Sequence, residues 1–314
     1  MSKKWSQQEI DMLLDLYPDY TCIQIAARLN TKFGNKHSSN AIRKAHERYK
    51  YPVLSLSKRK NAPKILLFDI ETAPLKSYTW GMWNQNIGLS MIHGDWHLLS
   101  WSAKWFGEDK VMYEDQRNEN NVEDDKKILK KLWKLLDEAD FVVGHNSRKF
   151  DVKKVNARFL LHGMKPPSSF RQLDTLVIAK RHFNFTSNKL EYLTDKLCTK
   201  YKKSGHAKFS GFKLWSECLA GNVEAWDEMK SYNELDVLSL EELFEILLPW
   251  DDSINFSVYF DEEVCSCGGT DFKKNGFYYT NASKFQKYRC KNCGAEYRDA
   301  KKIKETYKFR KNPR

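Results

Sequence analysis

The chain has 314 residues, 41% of them hydrophobic and 30% charged, with a formal net charge of +12. That length allows one substantial core and one or two small modules, and no apolar run approaches the roughly 20 residues needed to cross a bilayer. The opening stretch MSKKWSQQEI has no secretory apolar segment, so a cytoplasmic protein with reduced thiols and no membrane partner is expected.

The charge is unevenly placed. Residues 1–64 carry a balance of +8 and residues 257–314 a balance of +7, while the middle carries −3. Lysine-rich ends keep a protein soluble, but they also supply salt-sensitive affinity for a polyanion such as nucleic acid. The second reading is the sharper one, because both ends share it.

Residues 1–51 read as three helices. Ile10, Leu13, Leu14 and Tyr17 recur at helical spacing up to Pro18. Thr21 can cap a second helix holding Ile23, Ile25, Ala26 and Leu29, and Ser38 or Ser39 a third with Ala41, Ile42, Ala45 and Tyr49 inward. The third helix turns Arg43, Lys44 and Arg48 to other faces. With Trp5 near its start, this all-α segment resembles the Myb/SANT-like helix-turn-helix domains, whose last helix enters a DNA groove. A small helical packing module without DNA contact is the competing reading. Residues 52–63 (PVLSLSKRKNAP) read as a linker.

The character then changes. Lys64–Phe68 is an apolar run of strand length ending on Asp69-Ile70-Glu71, and Trp96–Trp105 is a second strand. Asp124–Leu136 has helical periodicity, Phe141–Val143 is a brief strand, and helices are expected over 151–162, 188–198 and 223–248. Strands interleaved with helices argue for an α/β core over 64–256. Trp80, Trp83, Trp96, Trp101 and Trp105 crowd into 78–105; packing in the core is the expected use, base stacking the lesser alternative.

Side chains alternate along a strand, so Asp69 and Glu71 share a face while Ile70 takes the other. Two neighbouring acids repel and lose solvation, which is costly unless a cation lies between them, although a solvated strand end can also carry them. Further on, Gly144-His145-Asn146 leads into a helix carrying Asp151, and Tyr232 and Asp236 share a helix face four residues apart. Asp-x-Glu after a strand, then Gly-His-Asn-x-x-x-Phe-Asp, then Tyr-x-x-x-Asp resembles the three-motif signature of the DEDD 3′–5′ exonucleases. The tyrosine form is that of polymerase proofreading exonucleases and of stand-alone ribonuclease-H-like proteins.

The resemblance implies a ribonuclease-H-like mixed sheet flanked by helices. It places two Mg²⁺ or Mn²⁺ ions on Asp69, Glu71, Asp151 and Asp236, with Tyr232 orienting the water. Hard oxygen donors suit those ions. Asn146 would contact the substrate backbone or cap the following helix. Asp174 reads as a helix N-cap first, with a metal or substrate contact as the lesser reading. The bases of 148–158 and 180–189 either line the channel by which a strand reaches the site or form a solvated face.

Cys265 and Cys267, then Cys290 and Cys293 after 22 intervening residues, resemble the paired knuckles of a zinc ribbon over 257–300. The first knuckle is Cys-x-Cys rather than the usual Cys-x-x-Cys. One structural zinc is expected, with free or redox-active thiols as the alternative, and the metal would supply much of so small a module's stability. Lys284 and Lys287, among several aromatics, suit nucleic-acid contact, though ribbons also dock proteins. Residues 301–314 read as a basic tail.

The leading function is a 3′–5′ exonuclease acting on nucleic acid, DNA more than RNA, in replication or recombination. The arrangement looks like proteins of phages and bacteria, so a phage-encoded copy would work in the host cytoplasm. Alternatives are a ribonuclease or structure-specific endonuclease using the same site, or a non-catalytic DNA-binding protein.

Overall fold

The computed structural model describes residues 5–51, 54–201 and 208–303. It divides into two compact units, one formed by residues 1–56 with 253–314 and the other by residues 57–252.

In the first unit, α1 (Gln7–Leu16), α2 (Cys22–Phe33) and α3 (Ser39–Tyr49) occupy the three expected places. Each start is set by a local cap. Ser6 and Thr21 close capping boxes with Glu9 and Gln24, and the Ser38 hydroxyl accepts from the Ala41 amide. Gly34, at φ 67°, ends α2 in the left-handed region that glycine tolerates. Leu13, Ile25, Ala26, Leu29, Ile42 and Ala45 form the small core. The same unit holds a three-stranded antiparallel sheet of order β10-β9-β8, made of β8 (Phe272–Tyr279), β9 (Lys284–Cys290) and β10 (Glu296–Arg298). The hairpin between the cysteine pairs is the expected one, and β10 adds a third strand along β9.

The segment read as a linker is not a free tether. Leu54 and Leu56 are buried, and the Ser55 amide donates to the Cys267 carbonyl at 2.8 Å. Residues 52 and 53, and 304–314 of the expected basic tail, lie outside the described residues.

In the second unit, β1 (Ile65–Thr72), β4 (Leu98–Trp105), β5 (Val111–Asp115), β6 (Phe141–Gly144) and β7 (Arg171–Asp174) form one sheet of order β5-β4-β1-β6-β7. β4 runs antiparallel to β1 and β5, while β1, β6 and β7 are parallel. A two-stranded ribbon of β2 (Lys76–Ser77) and β3 (Ile92–Gly94) interrupts the path from β1 to β4. Leu66, Phe68 and Ile70 pack on one face against α4 (Lys126–Glu138) and α5 (Asp151–Leu161). Each fully buried Leu, Ile or Phe there contributes about 1.5–3 kcal/mol. α6 (Thr175–His182), α7 (Leu190–Leu197) and α8 (Phe212–Leu219) contact the 25-residue α9 (Val223–Leu247), which lies against β1, β4 and β5. The mixed sheet flanked by helices is the expected α/β architecture.

The tryptophan cluster divides. Trp101 is buried and Trp105 packs on the same core, whereas Trp80 and Trp83 stand in solvent. Core packing therefore accounts for only part of the cluster. Among the described residues, no helix is long and apolar enough to cross a membrane.

Candidate functional site

β1 turns Asp69 and Glu71 away from the α4/α5 side, because Ile70 between them is committed to that core. α9 crosses the opposite face and brings Asp236 to them. One carboxylate oxygen from each of Asp69, Glu71 and Asp236 lies within 4.8 Å of the others. Asp69 and Glu71 are half-buried and Asp236 is buried, so three hard oxygen donors converge where water alone would screen them poorly.

Asp151 is not part of that group. It opens α5, is buried, and its carboxyl accepts hydrogen bonds from the amides of Ile70 and of Asp151 itself. Burial pushes this carboxyl up to about 7, and the charge of Asp174 adds to the rise against the lowering effect of the two amides. Asp151 thus sits beside the strand of the other acids in a site that disfavours its charge. Tyr232 stands one turn before Asp236, half-buried, with its ring edge-on to Trp215 at 6.3 Å.

Two residues of α9 belong to no sequence motif yet hold this arrangement in place. Asn233, fully buried on α9, donates to Asp69 Oδ2 at 2.7 Å, and its carbonyl accepts from the Ser100 hydroxyl of β4 at 3.3 Å. Ser100 lies opposite Glu71, and Ser102 opposite Asp69. The alternation of Ser100 and Ser102 with apolar Trp101 and Ala103 marks a strand face kept small and polar. Farther along α9, Glu241 pairs with the buried Lys104 of β4 and accepts from the Gly107 amide at 2.8 Å. That contact fixes the helix on the sheet.

The loop after β6 is tied from below. Asp174 caps α6, accepting from the Leu176 amide at 3.0 Å, and also accepts from the amides of Asn146 at 2.8 Å and Arg148 at 3.3 Å. The N-cap reading of Asp174 therefore holds and gains a second role. Asn146 sits at φ 66° in this loop. It does not cap the next helix, since the N-cap position of α5 is Phe150 and lacks a side-chain cap. His145 bridges Thr175 and the Asn188 carbonyl at 2.9 Å each, and burial lowers its pKa.

The second donor set is sulfur. Cys265, Cys267, Cys290 and Cys293 bring one sulfur each within 4.8 Å of one another, with Cys265–Cys293 at 3.3 Å and Cys267–Cys290 at 3.7 Å. A tetrahedron with Zn–S bonds of about 2.3 Å has edges of about 3.8 Å, so the four fit one such ion. The Gly269 amide and the Asn292 amide group point at Cys267 Sγ, and the Tyr297 hydroxyl at Cys265 Sγ, at 3.4, 3.3 and 3.2 Å. Donors of this kind support thiolates. The tight Cys-x-Cys knuckle is accommodated by Gly268 at φ 87°, where a Cβ would meet the Leu56 amide nitrogen at 2.4 Å.

The proposed nucleic-acid contacts are spread over the surface. Arg43, Lys44 and Arg48 are exposed on α3. Lys284 lies over the Phe277 ring at 4.0 Å. Lys287 is tied to Glu296 at 3.1 Å and is less available for a phosphate.

The family described as the RNase_H superfamily matches residues 66–248, more than half of the chain. The chain belongs to the RNase H superfamily. Within this RNase H-like fold, the match begins on the strand of Asp69 and Glu71 and ends just beyond α9. A solved family B DNA polymerase from the hyperthermophilic archaeon Pyrobaculum calidifontis aligns at 15% identity and a TM-score of 0.45. The alignment covers 60% of this chain and 25% of the polymerase, so the chain spans about a quarter of that protein's length. No curated protein matches the chain. RNase H-like nucleases work with divalent cations, and both donor sets described here could hold a metal.

Proposed function

We propose that the chain is a 3′–5′ exonuclease that hydrolyses phosphodiester bonds of DNA with two Mg²⁺ or Mn²⁺ ions. The observation that carries this reading is the convergence of Asp69, Glu71 and Asp236 within 4.8 Å, with Asp151 on the amide between the first two. When bound, two such ions supply an activated water and stabilise the leaving 3′-oxygen of an in-line displacement. Asp69, Glu71, Asp151 and Asp236 would hold them. Asn233 keeps one Asp69 oxygen in place, and Tyr232, one turn before Asp236, positions the attacking water. Asn146 contacts the substrate backbone.

The two basic ends hold the polyanion. Arg43, Lys44 and Arg48 on α3 favour a DNA groove, and Lys284 beside the exposed rings of β8 suits a second contact. A zinc on the four cysteines is structural in this reading. The ribonuclease and endonuclease readings use the same acids and differ in substrate and in where the strand is cut.

The deciding experiment incubates the full chain and Mg²⁺ with 5′-labelled single-stranded DNA, duplex DNA and RNA in parallel. A ladder of products shortening from the 3′ end of DNA, absent for Asp69→Ala, is expected. Internal cuts or faster loss of RNA would replace the proposal with one of its alternatives.

A further inference from the structure

Neither the fold nor the carboxylate centre explains the excursion from β1 to β4. Residues 77–94 contain no Asp, Glu, Lys or Arg, yet Trp80 is 100%, Met82 85%, Trp83 80% and Leu89 89% exposed. Indoles are among the largest apolar groups a chain can bury, and a cluster of exposed apolar side chains marks an interaction surface.

The tip is held in shape. β2 and β3 pair Lys76 with Gly94 and Ser77 with Ile92, and the Tyr78 amide donates to the Met91 carbonyl at 3.1 Å. Gln85 donates to the Trp83 carbonyl at 2.8 Å, and Asn84 turns the chain at φ 54°. The stem begins five residues beyond Glu71. Between them, Pro74 and Leu75 join Trp96, Phe212, Trp215 and Lys154 around a cavity of about 350 Å³, with the Lys154 ammonium 3.9 Å above the Trp96 ring. An aromatic-lined cavity beside the acids therefore leads directly into the ribbon that carries two solvent-facing indoles.

We propose that the tip of this ribbon, residues 79–90, is a stacking platform for unpaired bases of single-stranded DNA whose end lies at the carboxylates. This rests on the DNA-cleaving reading of that centre. Flat uncharged rings flanked by the exposed amides of Asn84, Gln85 and Asn86 match the faces and edges of nucleobases. Stacking tolerates any sequence because every base has a π-face. In a duplex those faces are covered by neighbours, so an indole reaches only an unpaired or terminal base.

The test compares affinities by fluorescence anisotropy in Mg²⁺-free buffer, using the full chain. The probes are labelled oligodeoxythymidylate, an abasic strand of equal length, and oligouridylate. Trp80→Ala/Trp83→Ala is expected to weaken oligodeoxythymidylate binding at least about tenfold, the loss of one or two base stacks, and to leave the abasic strand unaffected. Both indoles are solvent-exposed, so the variant keeps its fold. Trp80→Phe/Trp83→Phe should recover most of the affinity and Trp80→Leu/Trp83→Leu should not.

Unchanged affinity in the Ala variant, an equal loss on the abasic strand, or full affinity in the Leu variant would overturn the platform. Tighter wild-type binding to oligouridylate would overturn its assignment to DNA. Mg²⁺-dependent hydrolysis of the p-nitrophenyl ester of thymidine 5′-monophosphate reports the centre alone and should be equal in wild type and loop variants. A wild type that binds DNA but cleaves neither DNA nor the ester defeats the nuclease reading, while the affinity comparison still decides the platform.

Discussion

Glu9 in α1 and Asp151 at the start of α5 are both buried carboxyls, 5% and 4% exposed, and their surroundings act in opposite directions. Burial pushes the Glu9 carboxyl up, but hydrogen bonds from His37 and from the Ser6 amide and hydroxyl outweigh it and hold Glu9 down at about 2. Asn35 adds a further contact. Asp151 has two backbone amides, faces the charge of Asp174, and is pushed up to about 7. The first carboxylate finds its partners within the chain and serves the fold. The second sits by the amide of Ile70, between Asp69 and Glu71, in surroundings that disfavour its charge, and in the proposed function the metal ions supply the compensating positive charge. The four cysteines follow the second pattern, with sulfurs packed at a spacing that a divalent ion would complete.

The largest expected break in this contrast is catalytic. Asp69→Ala or Asp236→Ala removes a member of the converging set and should lower Mg²⁺-dependent release of nucleotides roughly a thousandfold or more, since each ion stabilises several kcal/mol of developing charge. Wild-type rates in either variant would remove the assignment. Next comes the sulfur set. Elemental analysis should find about one zinc per chain, because four thiolates fill a structural site. Cys290→Ser, or treatment with a strong chelator, should melt the β8–β9 hairpin as followed by circular dichroism; a Cys290→Ser protein with its zinc intact would refute the site.

How much of this was legible before folding depends on how local each signal is. The caps Ser6, Thr21 and Ser38 lie within three residues of the amides they satisfy, so the helical starts could be read directly. Asp69 and Glu71 are assigned a common face by strand alternation, and Tyr232 and Asp236 by helical periodicity. Asn233 could not be distinguished from any polar mid-helix residue, because its partner Asp69 lies 164 positions away. Leu54 and Leu56 read as linker for the same reason, since the neighbouring Ser55 meets Cys267 across 212 positions. The tryptophans differ in the other direction. Composition suggests a core, and only the ribbon's excursion from the sheet shows that Trp80 and Trp83 never reach it.

Asp151 offers a sharper test of the comparison through pH. Its folded pKa of about 7 lies above the ordinary 3.8, so unfolding releases a proton between those values and stability falls as pH rises from about 4 to 7. Above that range the penalty is constant, and below it both states are protonated and the penalty vanishes. In Mg²⁺-free buffer, Asp151→Asn should therefore stabilise the protein at pH 8 by about 2–4 kcal/mol and change little near pH 4, measured by calorimetry. Saturating Mg²⁺ should favour the wild type instead, because only the carboxylate can join the ions. A variant less stable at pH 8 without metal would mean that the Ile70 amide already compensates the charge.

Glu9→Gln should show the mirror image at smaller amplitude. The folded pKa of Glu9, about 2, lies below the ordinary 4.5, so its stabilisation is fully present above pH 4.5 and is lost as pH falls toward 2. Gln keeps the size and one acceptor oxygen but loses the charge that strengthens the bonds from Ser6, Asn35 and His37. Charged hydrogen bonds of this kind are worth about 1.5–3 kcal/mol, and Gln retains part of that. The expected cost at pH 7 is about 1–2 kcal/mol, seen as faster amide exchange across α1 in the full chain, with exchange in β1 and α9 unchanged. The gap should narrow as pH falls below about 4.5. If it instead stays constant with pH, the loss comes from packing in the small helical core, and Glu9 is held by shape rather than by the charge that sets it apart from Asp151.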